Sequence, residues 1–232
     1  MNALSDLITT ALYTIFIQNL IFSFAFGTSE AIRISVKPRG FLSFALMIIG
    51  LSTAASAVCF PLEKLPTVSS LPNYMRLLVY AGVLLGLYLP TAAVFRFIIK
   101  ASSKTLTSLG IAALNTLVLA VPFINRRAAY SLAGCLGSGI GAGLAFMIAA
   151  VLISLNTRRL SENKDIPAAF RGTPSLFLLI GLISLGFAGF AGRHSTTNLL
   201  FIDNRGNRRT QQDHAADVIY MDAFVQCVDA IE

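Results

Sequence analysis

The sequence predicts an all-α membrane protein of about six transmembrane helices, set as two inverted three-helix repeats with broken or half helices at spans one and four. Three observations carry this. Hydrophobic residues make up 55% and charged residues 12% of the 232 residues, about half the charge of a soluble domain, and the mean hydropathy is +0.72. The apolar residues gather into stretches of about 18 to 25, the length a helix needs to cross ~30 Å of hydrocarbon. Amides and hydroxyls then interrupt the first and fourth of those stretches at mid-depth.

The first span runs from about Leu7 to Phe26. It has no basic segment before it and no small-residue cleavage site after it, so it reads as a retained helix and not as a removable signal peptide. Gln18, Asn19 and Ser23 interrupt it, and it ends in the polar run Gly27, Thr28, Ser29 and Glu30, which fits either a dipping loop or an ordinary exit. The second span is Phe41 to Phe60 and the third Met75 to Ile99, with Gly82 and Gly86 at small-xxx-small spacing. The fourth, Leu106 to Ile124, is interrupted by Asn115 and Thr116. The fifth, Tyr130 to Leu155, carries Gly134, Gly137, Gly139, Gly141 and Gly143, overlapping spacings that let another helix approach closely. The sixth, Pro174 to Gly192, repeats the pattern with Gly181, Gly186 and Gly189.

Residues 1–192 therefore form the membrane domain, with a first repeat at about 7–99 and a second at about 106–192. An odd number of spans per repeat inverts one repeat relative to the other, and Asn19 and Asn115 become the matching pair. A single Asn in a membrane helix also has a plainer use, a hydrogen bond to a neighbour contributing about 0.6 to 2 kcal/mol. Residues 193–232 form a polar tail. Within 213–232, Val218, Met221, Val225 and Val228 share a helical face opposite Asp217, Asp222 and Asp229, which suits a short amphipathic helix docked on protein, or a disordered segment.

The net charge of +7 does not point to nucleic acid, because the basic residues cluster at span ends. Arg33, Lys37, Arg39, Arg96, Lys100, Lys104, Arg158, Arg159, Lys164 and Arg171 lie in the odd loops, against Lys64, Arg76, Arg126 and Arg127 in the even ones. The positive-inside rule then places both termini on the outer side, with the basic tail counting the other way. No span holds an Asp, Glu, Lys or His deep in the hydrocarbon, which argues against an autonomous carboxylate-relay carrier. His194 and His214 lack partners at metal-ligand spacing, and neither a phosphate loop nor a nucleophile motif occurs. The cysteines are Cys59, Cys135 and Cys227, too few for an iron–sulfur cluster. Cys59 and Cys135 both fall toward the outer face, where a disulfide, a shared ligand role and separate buried thiols are all open.

Several segments resemble the six-helix membrane subunits of the Rnf and Nqr ion-translocating electron-transport complexes, of the RnfA and NqrE type. They are IPAAFRGTPSLFLLIGLISLGFAGFAG from Ile166 to Gly192, QNLIFSFAFG from Gln18 to Gly27, the Asn115 region, and the Gly-rich fifth span ending in TRRL. The resemblance implies membership of a complex in a bacterial inner membrane that couples electron transport to translocation of Na+ or H+. It implies a homologous partner subunit of opposite orientation, surrounding lipid, and flavin or iron–sulfur cofactors in partner chains. In the family, a cysteine two residues after the span-one Gly and another directly after the span-four Asn are understood to hold a [2Fe–2S] cluster with the partner's. Ser29 and Thr116 stand there in this sequence, and hydroxyls do not replace thiolates. The expectation is a chain with no cofactor or catalytic residue of its own, at most a non-catalytic or ion-translocating component of an oxidoreductase complex. Gln18, Asn19, Ser29, Asn115 and Thr116 would line its midplane interface. A stand-alone transporter or channel on the same scaffold, and a structural assembly subunit, are the rival expectations.

Overall fold

The computed structural model describes residues 3–36, 40–97, 100, 102–162, 167, 170 and 172–198, and every regular element among them is a helix. In chain order these are α1 (Ala3–Phe16), α2 (Leu20–Phe24), α3 (Thr28–Val36), α4 (Phe41–Glu63), α5 (Pro66–Ser69), α6 (Asn73–Phe97), α7 (Ser103–Ala113), α8 (Thr116–Arg127), α9 (Leu132–Glu162) and α10 (Thr173–Asn198). The chain divides into two compact units, Met1–Ala191 and Gly192–Glu232. Of the second, only the helical residues up to Asn198 are described, so the amphipathic segment expected at 213–232 lies outside the described residues.

Four stretches are long and apolar enough to cross a membrane: Phe41–Glu63, Tyr74–Phe97, Ser103–Arg127 and Leu132–Thr157. Shorter apolar helices occupy Ala3–Phe16 and Pro174–Gly189. The expected first span is thus divided. α1 covers its first part, α2 is a single short turn, and the polar run after Gly27 begins another helix, α3.

α9 is the pillar of the first unit. Its 31 residues extend about 46 Å, and α1, α3, α4 and α8 all pack on it. Glycines decide how close they come. A methyl group added at Gly137 would stand 2.2 Å from the Leu7 carbonyl oxygen, and one at Gly141 2.7 Å from that of Ala11, so α1 lies parallel to α9. On another face, Gly139 would meet the Thr53 Cα at 2.7 Å and Gly143 the Ile49 Cα at 2.6 Å, so α4 runs antiparallel. Contact this tight gives no hydrophobic gain inside a bilayer, but it maximises dispersion and lets side chains reach the opposite backbone. Ser52 uses the opening, its hydroxyl 2.7 Å from the Gly139 carbonyl oxygen. Gly82 and Gly86, expected to serve the same kind of packing, instead stand on exposed positions of α6 with nothing within 4 Å, as do Gly181, Gly186 and Gly189 on α10.

The apolar core gathers Leu20, Ile21 and Phe22 of α2, Ile48 and Leu51 of α4, Leu117, Val118 and Val121 of α8, and Phe146, Ala149 and Ile153 of α9. It surrounds the places where the helices are interrupted. α6 is the opposite case, with only 11% of its most apolar window buried inside the chain.

Candidate functional site at the broken helices

An interrupted helix leaves backbone donors without intrahelical partners, and hydrocarbon offers none, so each break needs its own polar groups. Asn19 supplies them after α1. Its backbone is extended, and its Oδ1 accepts from the N–H groups of Ile21 at 3.2 Å and Phe22 at 3.3 Å, while its Nδ2 donates to the Ile15 carbonyl at 3.1 Å. Asn115 does the same after α7, its Oδ1 accepting from Leu117 N–H at 2.9 Å. Both side chains are buried, at 1% and 3% exposure. Gln18 is half-buried beside Asn19.

The far end of α2 carries the second part of the site. Ala25 turns left-handed at φ 57 to end the helix, and Gly27 follows at φ 75. A methyl group at Gly27 would lie 3.0 Å from Asn115 Oδ1 and 3.2 Å from the Leu117 Cβ. The Gly27 N–H donates to Thr116 Oγ1 at 3.1 Å, which ties the two interrupted stretches together across 89 residues of chain. Asn115 and Thr116 thus meet the end of the first break, whereas Asn19 stays at its beginning. Ser29 sits one residue into α3 and is exposed. Asn115 Nδ2 and Ser23 Oγ are buried without hydrogen-bond partners among the described residues.

One side of this junction is open. Leu114 is 75% exposed, Ala25 and Thr116 are exposed beside it, and Phe16 at the end of α1 is exposed as well. These outward-facing residues flank a break whose own Asn115 and Gly27 are buried.

A second polar cluster, which sequence reasoning missed, lies where α4, α8 and α9 end or begin. Glu63, the last residue of α4, pairs with Arg126 at 2.8 Å and accepts from the Tyr80 hydroxyl. Arg76, 5% exposed, donates through Nε to the Val68 carbonyl at 3.1 Å and through Nη2 to that of Ser69, covering the carbonyl end of α5. Asn125 donates to Ser56 Oγ at 3.1 Å, and its Oδ1 is buried without a partner among the described residues. Glu63, Asn125 and Arg126 border a cavity of about 190 Å³ that Cys59 and Cys135 also line. Arg76 and Arg126 read as loop charges because they flank the apolar stretches, and Glu63 was not singled out. The signal available was their distribution, one acid and two bases at the ends of adjacent spans.

Among the described residues no cluster of His, Cys, Asp or Glu could hold a metal ion. At the junction the hydroxyl of Thr116 is already a hydrogen-bond acceptor, and the described cysteines line the other cavity.

Buried amides capping broken apolar helices, tied at mid-chain and open on one side, define a multi-pass membrane protein built around interrupted spans. Comparison with known proteins gives the family. The chain belongs to the family described as Rnf-Nqr subunit, membrane protein, whose profile matches residues 7–193. It is 28% identical over 190 residues to a component of the ion-translocating oxidoreductase complex of Rhodobacter capsulatus, covering 82% of this chain and 98% of that one. It is 26% identical over 191 residues to a component of the Na(+)-translocating ferredoxin:NAD(+) oxidoreductase complex of Acetobacterium woodii, covering 80% and 97%. The corresponding component of the ion-translocating oxidoreductase complex of Syntrophotalea carbinolica is likewise 26% identical, over 193 residues, covering 82% and 98%.

Proposed function

We propose that the chain is a membrane subunit of an Rnf/Nqr-type ion-translocating oxidoreductase complex in a bacterial inner membrane, and that the open junction at Ala25, Leu114 and Thr116 is where a homologous subunit of opposite orientation docks. The observation that carries this is the exposure of Leu114 and Thr116 at the α7–α8 break. Irregular backbone at membrane depth is tolerated only where protein buries it or water fills a cavity beside it. Leu114, Thr116 and Ala25 face outward at this break, and a docked subunit would cover them.

In this reading the spans form two inverted triplets. α1 with α2 leads one and α7 with α8 leads the other, with Asn19 and Asn115 in equivalent capping roles. The termini lie on the outer side. Gln18, Asn19, Ser29, Asn115 and Thr116 form this chain's share of a midplane path for Na+ or H+ at the subunit boundary. The chain gives no ligand to a membrane iron–sulfur cluster, since Ser29 and Thr116 offer hydroxyls where the resemblance calls for thiolates, and electron transfer belongs to partner subunits carrying flavin or iron–sulfur groups.

Purification from native membranes in a mild detergent tests the assembly. A homologous membrane subunit and redox subunits are expected to copurify. A chain that emerges alone and translocates ions by itself in proteoliposomes would replace this reading with a stand-alone transporter.

A further inference from the structure

Cys59 and Cys135 are buried, carry free thiols and border the same cavity at the Arg126 end of the bundle. Their relation follows from the register of α4 on α9. Gly143 rests on Ile49 and Gly139 on Thr53, so each four-residue step along one helix is answered by a four-residue step back along the other. Cys59 lies on the same stripe of α4 as Ser52 and Ser56, seven and three residues on, and the Ser52 hydroxyl meets the Gly139 carbonyl one turn past Cys135. Both cysteines therefore flank one stretch of the α4–α9 contact and open on the same cavity.

Asn125 fastens this spot. Its Nδ2 donates to Ser56 Oγ, one turn before Cys59, and reaches the Cys135 carbonyl oxygen at 3.5 Å. Its Oδ1, in a side chain 4% exposed, has no donor among the described residues and needs one from the cavity. The cavity's 190 Å³ has room for about six waters at ~30 Å³ each. The thiols therefore border a wetted chamber, not lipid.

We propose that Cys59 and Cys135 are a dithiol site that reacts with disulfide-bearing oxidants entering this chamber and closes to a disulfide joining α4 to α9. One cysteine thiolate attacks a sulfur of the oxidant, breaking its S–S bond, releasing one oxidant thiolate and leaving a mixed disulfide. The second cysteine thiolate attacks the protein sulfur of that intermediate, forming the Cys59–Cys135 bond and expelling the other oxidant thiolate. The two thiol protons pass to the two released thiolates, so the cysteines lose two electrons and the oxidant's disulfide gains them. Capture of a soft metal ion is the weaker alternative, because it would leave two thiolates in a low-dielectric site whereas a disulfide leaves no charge.

The test uses the full chain in its membranes with Cys227→Ser removing the third thiol. Membranes are treated with bis(2-hydroxyethyl) disulfide, an oxidant small enough for the chamber, blocked with N-ethylmaleimide and digested for mass spectrometry. The expected result is joint loss of both free thiols with appearance of one Cys59–Cys135 linked peptide pair, reversed by a phosphine reductant. Cys59→Ala should convert that product to a mercaptoethanol adduct on Cys135, and Cys135→Ala should do the converse, in chains that still elute as the parent does. Mercaptoethanol on both cysteines without linkage, or two thiols that stay unmodified, would overturn the proposal. If a single-cysteine variant fails to fold, the linked peptide in the Cys227→Ser chain alone decides.

Discussion

Asn115 holds the side-chain oxygen that satisfies the first turn of α8, and its amide is also what Gly27 packs against. Removing a helix cap costs about 0.5 to 2 kcal/mol, so Asn115→Ala is expected to lower the thermal midpoint of the detergent-solubilised chain. Asn115→Asp, which keeps the accepting oxygen but places a charge where Asn115 is 3% exposed, should do no better, because an unpaired buried carboxylate costs more than the cap returns. Ala25 gives the opposite sign. It is held at φ 57, where a Cβ costs about 1 to 2 kcal/mol, and it is exposed. Ala25→Gly should therefore raise the midpoint, and a fall would show that the turn is set by something other than backbone strain. At this scale the sequence was legible where polarity contradicted its surroundings. Gln18, Asn19, Asn115 and Thr116 stood out as amides and hydroxyls in apolar runs. Asn125 did not, because it lies beside Arg126 and Arg127 at a span end and reads as part of the boundary, although its side chain is buried.

The glycines of α9 work as two sets, Gly137 and Gly141 for α1, Gly139 and Gly143 for α4. Their spacing made the helix recognisable as one that neighbours approach, but spacing alone names no neighbour, and the same pattern on α6 turned out to face outward. The two cases predict opposite results. A side chain at Gly137 must displace the Leu7 backbone, which cannot yield as a flexible side chain would, and overpacking of this kind costs about 1 to 3 kcal/mol or more. Gly137→Ala should therefore release α1 from α9, read as faster cleavage near Leu7 by limited proteolysis. Gly86→Ala meets open space within the chain and removes the ~1 kcal/mol entropic cost of glycine in a helix, so the isolated chain should be as stable or slightly more so. If Gly86→Ala leaves the isolated chain intact yet lowers the yield of the assembled complex, the exposed α6 glycines pack against another subunit.

The whole molecule is asymmetric in what it covers. Inside, α9 collects α1, α3, α4 and α8. Outside, the junction leaves Leu114 75% exposed at a break in the helical backbone. Composition and periodicity announced the helices well, since burial in lipid demands long apolar runs. The amides at Gln18 and Asn19 announced the cut between α1 and α2, but nothing announced that α3 would follow directly, because the left-handed turn at Ala25 and the tie from Gly27 to Thr116 arise only once distant segments meet. That tie is also why a substitution at Leu114 is the sharpest test of assembly. Leu114→Trp keeps the position apolar and, were it lipid-facing, should be tolerated, with insertion and thermal midpoint unchanged. Against a docked subunit the larger ring has no room. The expected outcome is a chain that inserts and elutes normally by itself while recovery of the homologous subunit with it falls sharply, at unchanged expression of both. Undiminished recovery would mean that the junction opens to lipid or water and that no subunit docks on Leu114.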